Sequence, residues 1–168
     1  MPTLPVFRVQ PDMTAEMRSP PGWLTVLSRY LAASVGLHFS WEILQLPLYT
    51  LWEAGTLRQK VFDVAHCTIG DAMISGLSLL LALAIAARPE WPLSSARRVW
   101  VLTVFMGMGY TAYSEWLNVV VRGSWAYSQL MPILPLLGTG LAPLLQWLVV
   151  PTLALWAAIG RLPLSDSL

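Results

Sequence analysis

At 168 residues, 56% of them hydrophobic and 11% charged, and with a mean hydropathy of +0.60, the chain is too apolar for a soluble domain of its size. A net charge of +1 argues against a nucleic-acid partner, and the single cysteine, Cys67, excludes an intramolecular disulfide and a multi-cysteine metal site. The expected class is all-α: a polytopic membrane protein folded as a four-helix transmembrane bundle, with no room for a separate soluble domain.

In chain order, residues 1–22 are polar and proline-rich and read as a loose tail rather than a cleaved signal peptide. Four stretches nearly free of charge follow: 30–52 holds only Glu42, 64–87 only Asp71, 101–121 only Glu115, and 123–160 no charged residue. Each exceeds the roughly 20 residues that a helix needs to cross about 30 Å of hydrocarbon. Within a transmembrane domain over 23–160, helices are therefore expected at about 24–53, 62–87, 98–121 and 136–159, with 161–168 as a C-terminal tail. The connections carry helix breakers, Pro89 and Pro92 in the second and Gly123, Pro132 and Pro135 in the third. Pro47, Pro143 and Pro151 fall inside the spans, where proline is tolerated and kinks the helix.

The positive-inside rule orients the bundle. With a cytoplasmic N-terminus the inner side holds Arg8, Arg18, Arg29, Arg88, Arg97, Arg98 and Arg161, against Arg58, Lys60 and Arg122 outside. Both termini are then cytoplasmic. Trp23, Trp91, Trp100 and Trp156 form the inner aromatic belt, and Tyr49, Trp52, Trp125 and Tyr127 the outer one. Nine arginines to one lysine point to a bacterial source of high GC content, hence a bacterial inner membrane.

Ionisable side chains within a bilayer cost roughly 2.5–3.5 kcal/mol each on insertion scales and so mark functional cavities. On helix 1, His38, Glu42, Gln45 and Tyr49 recur at helical spacing and form one polar stripe. Helix 2 carries His66 and Asp71, helix 3 Glu115 and Asn118, and helix 4 Gln146 and Trp147. Antiparallel pairing through short connections, at about 1.5 Å per residue, places Glu42 level with Asp71, Asp71 near Glu115, and Glu115 within about two turns of Gln146. His66 and Asp71 stand roughly 140° apart around their helix, so they cannot both face the same way. Taken singly, Gln45, Asn118 and Gln146 read as hydrogen-bonding glue between helices. Three buried acids together exceed what packing requires. Cys67 reads as a small buried hydrophobe. Trp41, Trp116 and Trp147 are either packing residues or π faces for a cation.

At these residues the chain resembles the EXPERA superfamily, which holds the emopamil-binding sterol isomerases and the sigma-2 receptor. His38-x-x-x-Glu42, within Gly36-Leu37-His38-Phe39-Ser40-Trp41-Glu42, resembles the isomerase helix with a catalytic His and Glu at that spacing. The stretch from Glu42 through Gln45-Leu46-Pro47 to Tyr49 is similar to the sigma-2 receptor, as is Val64-Ala65-His66-Cys67-Thr68. Gly109-Tyr110 through Ser114-Glu115 is similar to the isomerases' penultimate helix, and Trp147 through Pro151 to their last. The likeness covers residues 36–155 in order. Two positions depart: Cys67 stands where the isomerases carry a second catalytic glutamate, and Leu144 where they carry an asparagine.

The resemblance implies an intramembrane enzyme or binding protein for a hydrophobic small molecule or lipid, with double-bond isomerisation by proton transfer as its most specific form. His38, Glu42, Asp71 and Glu115 are the expected catalytic residues. Glu42 would be the acid with His38 as its relay, and Asp71 or Glu115 the base or counter-charge. Trp41, Gln45, His66, Asn118, Gln146 and Trp147 would line the ligand, Trp147 facing the cation. No cofactor or resident metal is expected. Two alternatives stay open: a metal-binding protein built from the same His and carboxylates, and a small proton-coupled transporter, for which four helices would need a homodimer.

Overall fold

The computed structural model describes residues 22–160, and the two tails with Arg8, Arg18 and Arg161 lie outside the described residues. The described chain is all-α apart from one short hairpin, with helices α1 (Trp23–Gln45), α2 (Leu51–Ala54), α3 (Leu57–Ala86), α4 (Ala96–Glu115) and α5 (Leu141–Ile159). α1 packs on α3 and α5, and α4 packs on the same two helices. The four long helices thus form an antiparallel square, the arrangement that short connections favour.

Helix boundaries differ from expectation where local chemistry intervenes. The first helix stops at Gln45 rather than 53, because Pro47 has no amide hydrogen to continue the ladder. The chain tightens there into a 3₁₀ turn, Leu46–Leu48, and one separate turn, α2. The next long helix starts at Leu57, five residues before the expected 62. Thr56 and Gln59 form a reciprocal capping box, Thr56 Oγ1 accepting from Gln59 N at 3.3 Å while Thr56 N donates to Gln59 Oε1 at 2.9 Å. α4 passes into a π-helical segment, Trp116–Val121, in which Arg122 N bonds Leu117 O at 2.9 Å. The last helix begins at Leu141 rather than 136. The residues before it pair as an antiparallel hairpin of β1 (Ile133–Leu134) and β2 (Thr139–Gly140), turned by Gly138 at φ 64°. Glycine tolerates that left-handed geometry without steric cost.

The distribution of polarity is inverted relative to a water-soluble bundle. Ser34, His38, Glu42, Gln45, Thr103, Glu115 and Gln146 are buried, whereas Phe39, Ile43, Ile69, Met73, Phe105 and Leu148 are exposed on the outer faces. α3 and α5 are each long and apolar enough to cross a membrane. At one end of the square, where α1 begins, Val26, Tyr30, Leu79, Val99, Ala154 and Leu155 form an apolar core.

Candidate functional site

α1 buries Val26, Tyr30, Ser34, His38, Glu42 and Gln45, a stripe stepping by three or four residues. Its C-terminal half carries the acid, and α3 and α5 bring complementary groups to the same level. The hub is the Gln146 amide nitrogen of α5. It lies 2.6 Å from His38 Nδ1, 2.8 Å from Asp71 Oδ2 and 3.3 Å from Glu42 Oε1. An amide nitrogen donates and never accepts, so Nδ1 is the lone-pair nitrogen and the imidazole proton resides on Nε2. His38 Nδ1 also lies 3.7 Å from Asp71 Oδ2.

Glu42 and Asp71 converge on one donor, the Gln146 amide nitrogen, and buried carboxyl groups brought that close favour holding one proton between them. Gln45 Nε2 donates to Glu42 Oε1 at 2.8 Å, and Trp41 Nε1 holds Gln45 by donating to its Oε1 at 3.1 Å. Trp41 therefore acts on the acid through Gln45. Trp147 is fully buried, its ring centroid 5.5 Å from that of His38 and tilted by 54°. Its place depends on Gly107 of α4, where any Cβ would stand 1.9 Å from the indole.

Glu115 organises a second cluster nearer the hairpin. Tyr127 OH donates to its Oε2, and Tyr49 OH approaches the same oxygen at 3.5 Å. The Trp125 indole nears this carboxyl group without completing a hydrogen bond. Tyr127 OH in turn accepts from Gly140 N at 2.9 Å, tying the loop after α4 to the start of α5. The same loop is stitched to the end of α1 by Thr50 N to Ala126 O at 3.0 Å and Ser128 N to Leu48 O at 2.9 Å. Burial first, then the bond to Glu115, raises the Tyr127 phenol above the usual tyrosine range. The two clusters are within electrostatic reach, since Glu42, Asp71 and Glu115 act on one another and on Cys67.

Of the residues expected in the site, the structure brings His38, Glu42, Gln45, Asp71, Gln146 and Trp147 together, with Trp41 behind Gln45 and Glu115 next to them. Two expectations are corrected. His66 is exposed and stacks on Phe62, its ring centroid 5.7 Å away. The angular conflict with Asp71 thus resolves in favour of the acid. Asn118 turns back to its own helix, Nδ2 donating to Ser114 O at 2.9 Å, so it does not reach the cluster. Trp116 is 45% exposed and packs beside Tyr113. Tyr127 is the participant that sequence reasoning placed only in an aromatic belt; its role depends on a loop fold with no local signal.

Among the described residues no three His, Cys, Asp or Glu side chains are grouped to hold a metal ion. A lateral apolar groove of about 560 Å³ opens between α1 and α3, with Leu31, Val35, Thr68, Ala72 and Gly76 in its lining. Thr68 lies one helical turn from Asp71. No protein family, curated protein or solved structure matches this chain.

Proposed function

We propose that this chain is an integral membrane protein whose four long helices all cross the bilayer. In this reading it binds a hydrophobic, lipid-like ligand at the Glu42–Asp71–Gln146–His38 cluster and catalyses proton transfer there, with double-bond isomerisation as the most specific form. Apolarity alone marks α3 and α5 as spans. Supporting the other two, α1 and α4 turn many of their polar residues inward: Ser34, His38, Glu42 and Gln45 on one, Thr103, Thr111 and Glu115 on the other. What α1 and α4 show outside, including Val35, Phe39, Ile43, Phe105 and Tyr110, suits lipid. Arg29, Arg88, Arg97 and Arg98 against Arg58, Lys60 and Arg122 favour cytoplasmic termini in an inner membrane.

The observation that carries the chemistry is the convergence of Glu42 and Asp71 on the Gln146 amide nitrogen, a pairing in which the two carboxyl groups would share one proton. One carboxyl would then be an acid while its neighbour is a base. Moving a double bond requires both: a proton is added to one alkene carbon, and another is removed from a carbon beside the resulting cation. The Gln146 amide nitrogen, 2.8 Å from Asp71 Oδ2 and 3.3 Å from Glu42 Oε1, lies between the two acids. The groove between α1 and α3 offers a hydrophobic molecule a side approach from the hydrocarbon.

The test begins with mass spectrometry of lipids copurified with the full chain, followed by incubation of candidate lipids in heavy water. Turnover should place solvent deuterium on the product's carbon skeleton. Glu42→Gln should retain the fold and ligand binding while lowering turnover at least about 100-fold, because the amide keeps the shape but supplies no proton. Undiminished turnover in this variant would exclude Glu42 as the proton donor.

A further inference from the structure

Two nitrogen atoms at the deepest point of the cluster are buried without a hydrogen-bond partner: His38 Nε2 and Trp147 Nε1. Both residues have 0% exposure. Each orientation is held by an independent contact. Gln146 Nε2 at 2.6 Å from Nδ1 fixes the imidazole tautomer, so that Nε2 carries the proton. The Gly107 backbone, against which the indole lies too closely for any Cβ, fixes Trp147. Both unpartnered groups are therefore N–H donors, on adjacent rings whose centroids are 5.5 Å apart. Buried donors are usually satisfied, and among the unpartnered buried atoms, which include the Trp91 and Trp125 indole nitrogens, these two are the pair on neighbouring rings.

We propose that His38 Nε2–H and Trp147 Nε1–H together bind the carbonyl oxygen of the hydrophobic ligand. One oxygen with two lone pairs can accept from both at about 2.9 Å. A carbonyl suits the site better than a hydroxyl, because both nitrogens donate and neither would accept the hydroxyl's own proton. The oxygen would sit on the Nε2 edge of the imidazole, the edge opposite the one that faces Asp71. The inference rests on reading this cluster as a ligand pocket and narrows the ligand to an oxygenated, carbonyl-bearing lipid.

The chain's two histidines make the test direct. Full-length protein labelled with ¹⁵N-histidine gives one pair of ring-nitrogen signals from each imidazole, and His66→Gln assigns them. In the free protein, His38 should show the Nε2–H tautomer. Titration with methyl nonyl ketone should shift His38 Nε2, whereas undecane, of equal carbon number, should not. Trp147→Phe, which retains an aromatic ring but no N–H, should weaken ketone binding about fivefold, the effect of one neutral hydrogen bond. An Nδ1–H tautomer, equal shifts with ketone and alkane, or no shift with either would overturn the proposal. If Trp147→Phe does not fold, the tautomer and the ketone-to-alkane contrast still decide it. The readout is binding without turnover, so failure of the isomerase reading, seen with Glu42→Gln, is distinguishable from failure here.

Discussion

The two ends of the bundle both bury polar groups but use them differently. Toward the start of α1, Tyr30 OH and Ser75 Oγ are 2.6 Å apart and Ser34 Oγ donates to Ser75 Oγ at 3.0 Å, within an apolar core. Every member of that network has a partner, so it reads as glue between α1 and α3. Two turns further along α1, the same stripe reaches His38 and Glu42, where the acids find donors on Gln45 and Gln146 but the two ring nitrogens lack acceptors. What separates the two polar networks is therefore not burial or polarity, which they share, but whether the hydrogen bonds within each network close.

The comparison breaks most visibly at Gly107. Gly107→Ala places a methyl group inside the Trp147 ring volume, and the indole must leave its seat. Overpacking of this kind costs about 1–3 kcal/mol, measured as lowered thermal stability in detergent, and ketone binding at His38 should fall with it. Unchanged stability and binding would mean that the indole's position is immaterial to the site.

Tyr30→Phe tests the other end. It removes one hydroxyl from a closed network while Ser34 and Ser75 stay bonded, so stability should drop by about 1 kcal/mol with ligand binding untouched. A loss of binding comparable with that of Trp147→Phe would erase the distinction between the two ends.

Tyr127→Phe sharpens the boundary between site and loop. It deletes a donor to Glu115 and the acceptor of Gly140 N–H. A loss of about 0.5–1.5 kcal/mol should come with faster hydrogen exchange at the Gly140 amide. Unaltered exchange there would show that the loop is held by its backbone bonds to residues 48 and 50 alone.

The smallest effect belongs to His66. Exposed and stacked only on Phe62, its replacement by glutamine should move stability by no more than about 0.5 kcal/mol and leave ligand binding intact. A larger effect on binding would return His66 to the site and undo the correction made by the structure.

Helical class, the approximate extent of the four long helices and the depth at which the acids meet were all readable from the chain. They depend on periodicities and lengths that a helix imposes on its own sequence. Glu42 and Gln45 on one stripe, and Asp71 level with Glu42, needed only the helical repeat and short connections. Rotation about each helix axis was not readable. It decided that Asp71 faces inward while His66 faces out, and that Asn118 bonds its own helix. The hub role of Gln146 was likewise invisible, because an isolated glutamine in an apolar helix looks the same whether it joins helices or lies between a pair of acids. Tyr127 joined Glu115 through a loop whose path is set by its bonds to Leu48, Thr50 and Gly140, contacts distant in sequence. The sequence alone determined which residues could be polar within an apolar bundle; the tertiary structure decided which of them meet, because hydrogen bonding is directional and a helix repeat leaves its azimuth free.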